Sequence, residues 1–183
     1  ENAKAAAGFD LVPYAPGIIN NVGLYSKKYK NINDLPQGAS VAIANDPINS
    51  GRGLQLLAKA GLISLKPGVG YKATEEDIIA NPKKLKILQV EAVQLVRAYD
   101  DADLVQGYPA YIRLSKTFDA ESALLFDGLD HPEYVIQFVI QPKSKTDPRV
   151  IKFVDIYQHS PVVRAALDKS LGKLYQVGWE DKK

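Results

Sequence analysis

The chain contains no cysteine, which excludes disulfides, thiolate metal sites and cysteine nucleophiles and leaves the compartment undecided. Methionine is also missing. Histidine is nearly so: His131 lies in a polar turn and His159 at an expected helix end, each isolated, which reads as structural or solvent-facing imidazole. No apolar run approaches the ~18 residues of a membrane span. Neither sign of charge is in excess. There are 23 basic residues against 21 acidic ones, a net charge of +2, and the two signs are interspersed. That leaves no nucleic-acid stripe and no polybasic membrane patch. A serine-hydrolase elbow, a phosphate loop and an H-E-x-x-H zinc helix do not occur. Gly51-x-Gly53 lacks the third glycine of a dinucleotide fingerprint. Asp100-Asp101-x-Asp103 starts like a calcium loop but lacks its glycine and terminal glutamate, and reads as a solvated turn. The expectation is a protein that is not an enzyme and needs neither cofactor nor metal.

What is present is ordinary globular material. The 183 residues are 46% hydrophobic and 24% charged, and a chain of this size buries roughly 70% of its unfolded surface, as one domain or two small lobes. It opens Glu1-Asn2-Ala3-Lys4, without initiator methionine or signal sequence, and so reads as a mature protein or a piece of a longer one. Residues 1–7 read as a helix end closed by Gly8, and residues 9–12 as a strand. Further extended segments are expected at 22–26, 40–44, 85–90 (buried), 102–106, 123–126 and 134–140. Helices are expected after Arg52 (stopped by Gly61), at 75–80 behind Thr74 as N-cap, and at 93–99. Two more should follow Asp147-Pro148 and Ser160-Pro161, each a cap residue with proline at the first helical position. Alternating strands and short helices give an α/β class with a largely parallel sheet.

The most informative stretch is Asn45-Asp46-Pro47-Ile48-Asn49-Ser50-Gly51-Arg52-Gly53, between the apolar run 41–44 and the helical run 54–60. It reads as a loop leading into a helix N-terminus, where unpaired first-turn N–H groups and the helix dipole favour an anion. Arg52 adds a guanidinium whose fork matches a carboxylate. Ligands of open α/β sheets bind beyond the carboxyl ends of the strands, where this stretch lies.

Nearly the whole chain resembles one family. The segments Gly23-Leu24-Tyr25-Ser26-Lys27-Lys28, Asp34-Leu35-Pro36-x-Gly38-Ala39, Asn45-Asp46-Pro47-x-Asn49-x-Gly51-Arg52 and Leu56-Leu57-x-Lys59-Ala60-Gly61-Leu62-Ile63 occur in order. Gly68-Val69-Gly70, Asn81-Pro82-Lys83-x-Leu85-Lys86-Ile87 and Gln94-Leu95-x-Arg97 follow. Together they are similar to the NlpA/MetQ-type methionine-binding lipoproteins, substrate-binding proteins of bacterial ABC importers. The resemblance implies a periplasmic-binding-protein-like, type II fold of two α/β lobes that close on a small amino acid or related carboxylate, methionine or a methionine-like ligand. It implies a lipid-anchored periplasmic or cell-envelope protein that touches the membrane only through that anchor and works with a permease and an ATPase. It also implies that Arg52 pairs with the ligand carboxylate.

Two departures from the family pattern bear on the site. The chain starts partway through the pattern, so the first lobe is expected to be incomplete. The family's two ligand-holding asparagines fall on Tyr108 and Ile136, with Gln106 and Gln137 the nearest amides. The candidate ligand-binding residues are therefore Arg52, then Asn49, with Tyr108, Gln106 and Gln137 as wall residues. Gln106 and Gln137 can equally be ordinary polar residues at strand ends. Lobe 2 is expected over 32–127. Residues 1–31 and 128–183 would supply the rest of lobe 1 and the two crossings. The alternative is a surface adhesion or interaction protein that reuses the fold.

Overall fold

The computed structural model describes Gly8 and residues 10–179. The helix end expected at 1–7, and Phe9 of the first expected strand, lie outside the described residues. Along the chain the strands are β1 (Val12–Pro16), β2 (Ile18–Asn20), β3 (Gly23–Tyr25), β4 (Ser40–Ala44), β5 (Ser64–Leu65) and β6 (Ile78–Ala80). They continue as β7 (Lys86–Val90), β8 (Leu104–Gly107), β9 (Leu125–Phe126), β10 (Gln137–Ile140) and β11 (Tyr175–Val177). The α-helices are α1 (Pro47–Lys59), α2 (Leu95–Asp101), α3 (Pro109–Ser115), α4 (Pro148–His159) and α5 (Pro161–Leu171).

Two compact units divide the chain: residues 1–20 with 129–183, and residues 21–128. The second starts earlier than the 32 expected for lobe 2, because β3 is an interior strand of its sheet and Leu24 lies in its core.

The 21–128 unit is built on a five-stranded sheet of order β7-β4-β8-β3-β9. β4 runs parallel to β7 and β8, whereas β3 is antiparallel to both β8 and β9. The sheet is thus mixed rather than largely parallel. β3 and β9 are the strands next to the unit's two ends, and no βαβ crossover dictates their direction. β4 is buried on both faces, which is why its sequence is continuously apolar. Val41 and Ile43 pack with Leu54 and Leu57 of α1 on one face. Ala42 and Ala44 pack with Leu95 of α2 on the other. β7, expected as a buried strand, is the sheet edge, and its Leu88 faces solvent.

Several local expectations shift for visible reasons. β1 begins at Val12 and contains Pro13 and Pro16, tolerated because its one sheet partner is β10. The helix expected at 75–80 is a single tight turn, Glu75–Asp77. The Asp77 carboxylate accepts from Thr74 N and Oγ1, and the β-branched Ile78-Ile79 then continue as β6 against β5. A turn at Pro132–Tyr134 delays the strand expected at 134–140 until Gln137. α3 was not expected at all. Asp147 caps α4 by accepting from Arg149 N, and Pro161 opens α5, as their sequence signatures require. In this first unit β1 pairs with β10 and β2 with β11, both antiparallel, around Ile18, Leu171 and Tyr175.

The three-carboxylate run at 100–103 is a staple. Asp103 accepts from Ser40 N at 2.8 Å and Ser40 Oγ at 2.9 Å and pairs with Lys28 at 3.0 Å, while Asp100 pairs with Lys27. The Ser40 amide, then the Lys28 and Ser40 side chains, hold the Asp103 carboxyl below its ordinary pKa. A carboxylate lowered on folding contributes stability that is complete above its unfolded pKa of about 3.9 and is lost as pH falls through the lower folded value. Asp103→Asn is therefore expected to shrink the loss of melting temperature between pH 7 and pH 3, read by circular dichroism.

Candidate functional site

The stretch at 45–53 is not a loop before a helix. α1 begins at Pro47, with Asp46 as N-cap, so Asn49 is in the first turn and Arg52 in the second. Asp46 Oδ1 accepts from Asn49 N at 3.1 Å, and Oδ2 accepts from Asn49 Nδ2 at 2.9 Å. The helix start thus carries its own carboxylate, which already answers the dipole there. The expected anion cradle of bare first-turn amides is corrected accordingly, and Asn49 serves the cap. Gly51 and Gly53 let α1 sit close to its neighbours. A Cβ on Gly51 would lie 2.1 Å from Tyr71 O, and one on Gly53 would lie 2.9 Å from Gln106 Oε1 and 3.0 Å from Ile43.

Arg52 is buried, and its Nε donates to Asp127 Oδ2 at 2.5 Å. Asp127 is buried as well, and its Oδ1 accepts from Val22 N at 2.9 Å. A buried guanidinium needs such a partner, because an uncompensated charge away from water is strongly destabilising.

Gln106, at the carboxyl end of β8, is fully buried. Its Oε1 accepts from Ala44 N at 2.9 Å, and its Nε2 donates to Asn49 O at 3.0 Å and to Tyr108 Oη at 2.9 Å. Both amide donors are committed to the protein. Gln106 is therefore a brace joining β4, α1 and Tyr108, and the expectation of a ligand-wall amide is corrected. Gln106→Leu leaves the buried Ala44 N–H without this acceptor, an expected cost of about 1–3 kcal/mol in urea denaturation. Tyr108 stands at the N-cap of α3, half-buried, its ring edge-on to Tyr111 at 5.9 Å. Burial is the main cause that pushes the Tyr108 phenol well above its ordinary pKa, so it stays protonated. The second unit thus brings Asn49, Arg52, Gln106 and Tyr108 together at the carboxyl ends of β4 and β8.

The sequence profile of the NlpA lipoprotein family matches residues 1–179. The chain belongs to the NlpA lipoprotein family. It is 40% identical over 164 residues to the D-methionine-binding lipoprotein MetQ of Salmonella typhimurium strain LT2, an alignment that covers 87% of this chain and 59% of the relative. The chain therefore spans about three-fifths of that relative's length. A nutrient binding protein from Burkholderia cenocepacia, solved bound to methionine, is similar at 36% identity with a TM-score of 0.87, over 96% of this chain and 73% of that one. A periplasmic substrate-binding protein of an ABC transporter from Coxiella burnetii is similar at 35% identity with a TM-score of 0.87 and the same coverages. The fold is the two-lobed, type II α/β class of such binding proteins.

Within this NlpA-family chain, Gln137 belongs to the other compact unit. It opens β10 opposite Pro16 and is exposed, with Nε2 directed at Val135 O at 3.5 Å. Among the described residues no group of three or more His, Asp or Glu side chains comes together as a metal site, and no helix is long and apolar enough to cross a membrane. Sequence reasoning missed Asp46 and Asp127. Asp46-Pro47 carries the same cap-plus-proline signature that announces α4. Asp127 gave only a faint signal, an acid closing the apolar run 123–126.

Proposed function

We propose that the protein is the substrate-binding component of a bacterial ABC importer, taking a small amino acid or related carboxylate, methionine or a methionine-like ligand. Arg52 is the anchor for the ligand carboxylate. The observation that carries this reading is a guanidinium buried at the carboxyl ends of β4 and β8 and paired with Asp127 through its Nε, within the family motif that ends in Arg52. A guanidinium carries five N–H donors, and a carboxylate contact to it is charge-assisted and strengthens out of water. Gln106 keeps the start of α1 and the Tyr108 hydroxyl in register, and the Tyr108–Tyr111 pair offers an aromatic wall for the ligand side chain. The role is recognition, without a reaction. Binding proteins of this class act by lobe closure and hand the ligand to a permease driven by an ATPase. A lipid anchor at the cell envelope completes the arrangement.

Calorimetry tests this with a panel of free amino acids that includes both methionine enantiomers. Saturable binding of at least one member at micromolar affinity or tighter is expected. A panel without a heat signal overturns the reading.

A further inference from the structure

Asp127 uses its polar groups to join segments that are distant in sequence. Its Oδ2 takes Arg52 Nε at 2.5 Å, its Oδ1 takes Val22 N at 2.9 Å, and its own N donates to Val22 O at 2.9 Å. Its carbonyl accepts from Lys59 Nζ, on the last residue of α1, at 2.6 Å. The next residue, Gly128, has a φ of +108° that favours glycine, and its N donates to Asn21 Oδ1 at 2.9 Å. Asn21 and Gly128 are the two ends of the 21–128 unit, where the chain passes to and from the other unit. The one carboxylate therefore holds both the buried guanidinium and the Val22 amide, beside the two chain passages.

We propose that Asp127 is a positioning residue that couples the state of the Arg52 guanidinium to the two chain passages at Asn21-Val22 and Asp127-Gly128. The coupling rests on the reading of Arg52 as the ligand anchor for its biological use, but it exists in the ligand-free protein. A carboxylate arriving at Arg52 draws charge density and position away from the Nε–Oδ2 contact. The two oxygens belong to one rigid group, so the change reaches the Val22 N–H at Oδ1. Thermodynamic reciprocity requires that a change at the passages reach Arg52 by the same factor.

Amide hydrogen exchange followed by nuclear magnetic resonance tests this, with Ile43 in the middle of β4 as the reporter of general stability. Arg52→Lys keeps the charge and removes the Nε–H. In ligand-free protein it is expected to speed exchange at Val22 by at least about tenfold more than at Ile43. In an Asp127→Asn background the same substitution is expected to leave Val22 unchanged within about twofold. Val22 moving only in step with Ile43, or moving equally in both backgrounds, overturns the proposal. Should Arg52→Lys fail to fold, Asn21→Ala serves in the reverse direction. It is expected to speed exchange of the Arg52 Nε–H by at least about fivefold, and an unchanged rate overturns the proposal. Added L-methionine is expected to alter exchange at Val22 in the wild-type protein but not in Asp127→Asn. If methionine gives neither heat nor a change at Val22 while the ligand-free coupling holds, the functional reading fails for that ligand and the coupling stands.

Discussion

Replacing Arg52 with methionine is expected to cost about 3–5 kcal/mol of stability in urea denaturation, because it leaves the buried Asp127 carboxylate without its cation. Asp127→Leu is expected to cost a similar amount for the converse reason. The double variant Arg52→Met/Asp127→Leu removes both charges at once, and buried ion pairs exchanged for apolar groups of similar volume are often close to neutral. It does not recover everything. Asp127 Oδ1 also accepts from Val22 N, so the double variant leaves that amide unsatisfied, at about 1–3 kcal/mol. The double variant should thus be more stable than either single one, with a large favourable coupling between the two sites. Costs that simply add would show that the two side chains do not act as a pair.

Gly51→Ala has the second large expected effect, and intuition about helices gives its sign wrongly. Alanine is favoured over glycine in a helix interior by about 1 kcal/mol. Here, however, the new Cβ would lie 2.1 Å from Tyr71 O and 2.9 Å from its carbonyl carbon. Both are backbone atoms, so no side-chain rotation relieves the overlap. α1 or the Gly70–Lys72 turn must move instead, and overpacking of this kind costs about 1–3 kcal/mol or more. A net loss of about 2 kcal/mol is expected in urea denaturation, with a fall in any ligand affinity because α1 carries Arg52. A stabilised Gly51→Ala variant would mean that α1 does not lie against Tyr71.

The glycines also explain part of what the sequence concealed. Gly51 and Gly53 make the first two turns of α1 look like loop, although Asp46-Pro47 is the same pair that announces α4 at Asp147-Pro148. Close helix packing demanded the glycines, and local propensity gave way to it. The apolar run 41–44 marked β4, which is covered on both faces, and Gly61 marked the end of α1 correctly. It has a φ of +71° there, and its N–H and that of Leu62 close the helix onto Ala58 O and Leu57 O. α3 escaped notice because its cap position is Tyr108, which makes no side-chain cap hydrogen bond, so Pro109 alone signalled it.

The candidate site was legible only at its charged member. Arg52 announced itself through the motif, and a buried guanidinium requires an acid. Which acid is a question of tertiary structure: Asp127 lies 75 residues away, and no local pattern links the two. Gln106 stayed open between a wall residue and an ordinary strand-end amide for the same reason. A glutamine at a strand end looks like a wall residue until its hydrogen bonds are counted, and Ala44, Asn49 and Tyr108 account for it.

The most direct test of carboxylate anchoring leaves the protein unaltered and changes the ligand. Calorimetry on the wild-type protein would compare methionine with decarboxylated methionine, the thioether amine that keeps the side chain and the ammonium. If Arg52 anchors the carboxylate, methionine binds and the amine loses at least about two orders of magnitude in affinity, the scale of a lost charge-assisted bidentate contact. Equal binding of the two would contradict the role given to Arg52.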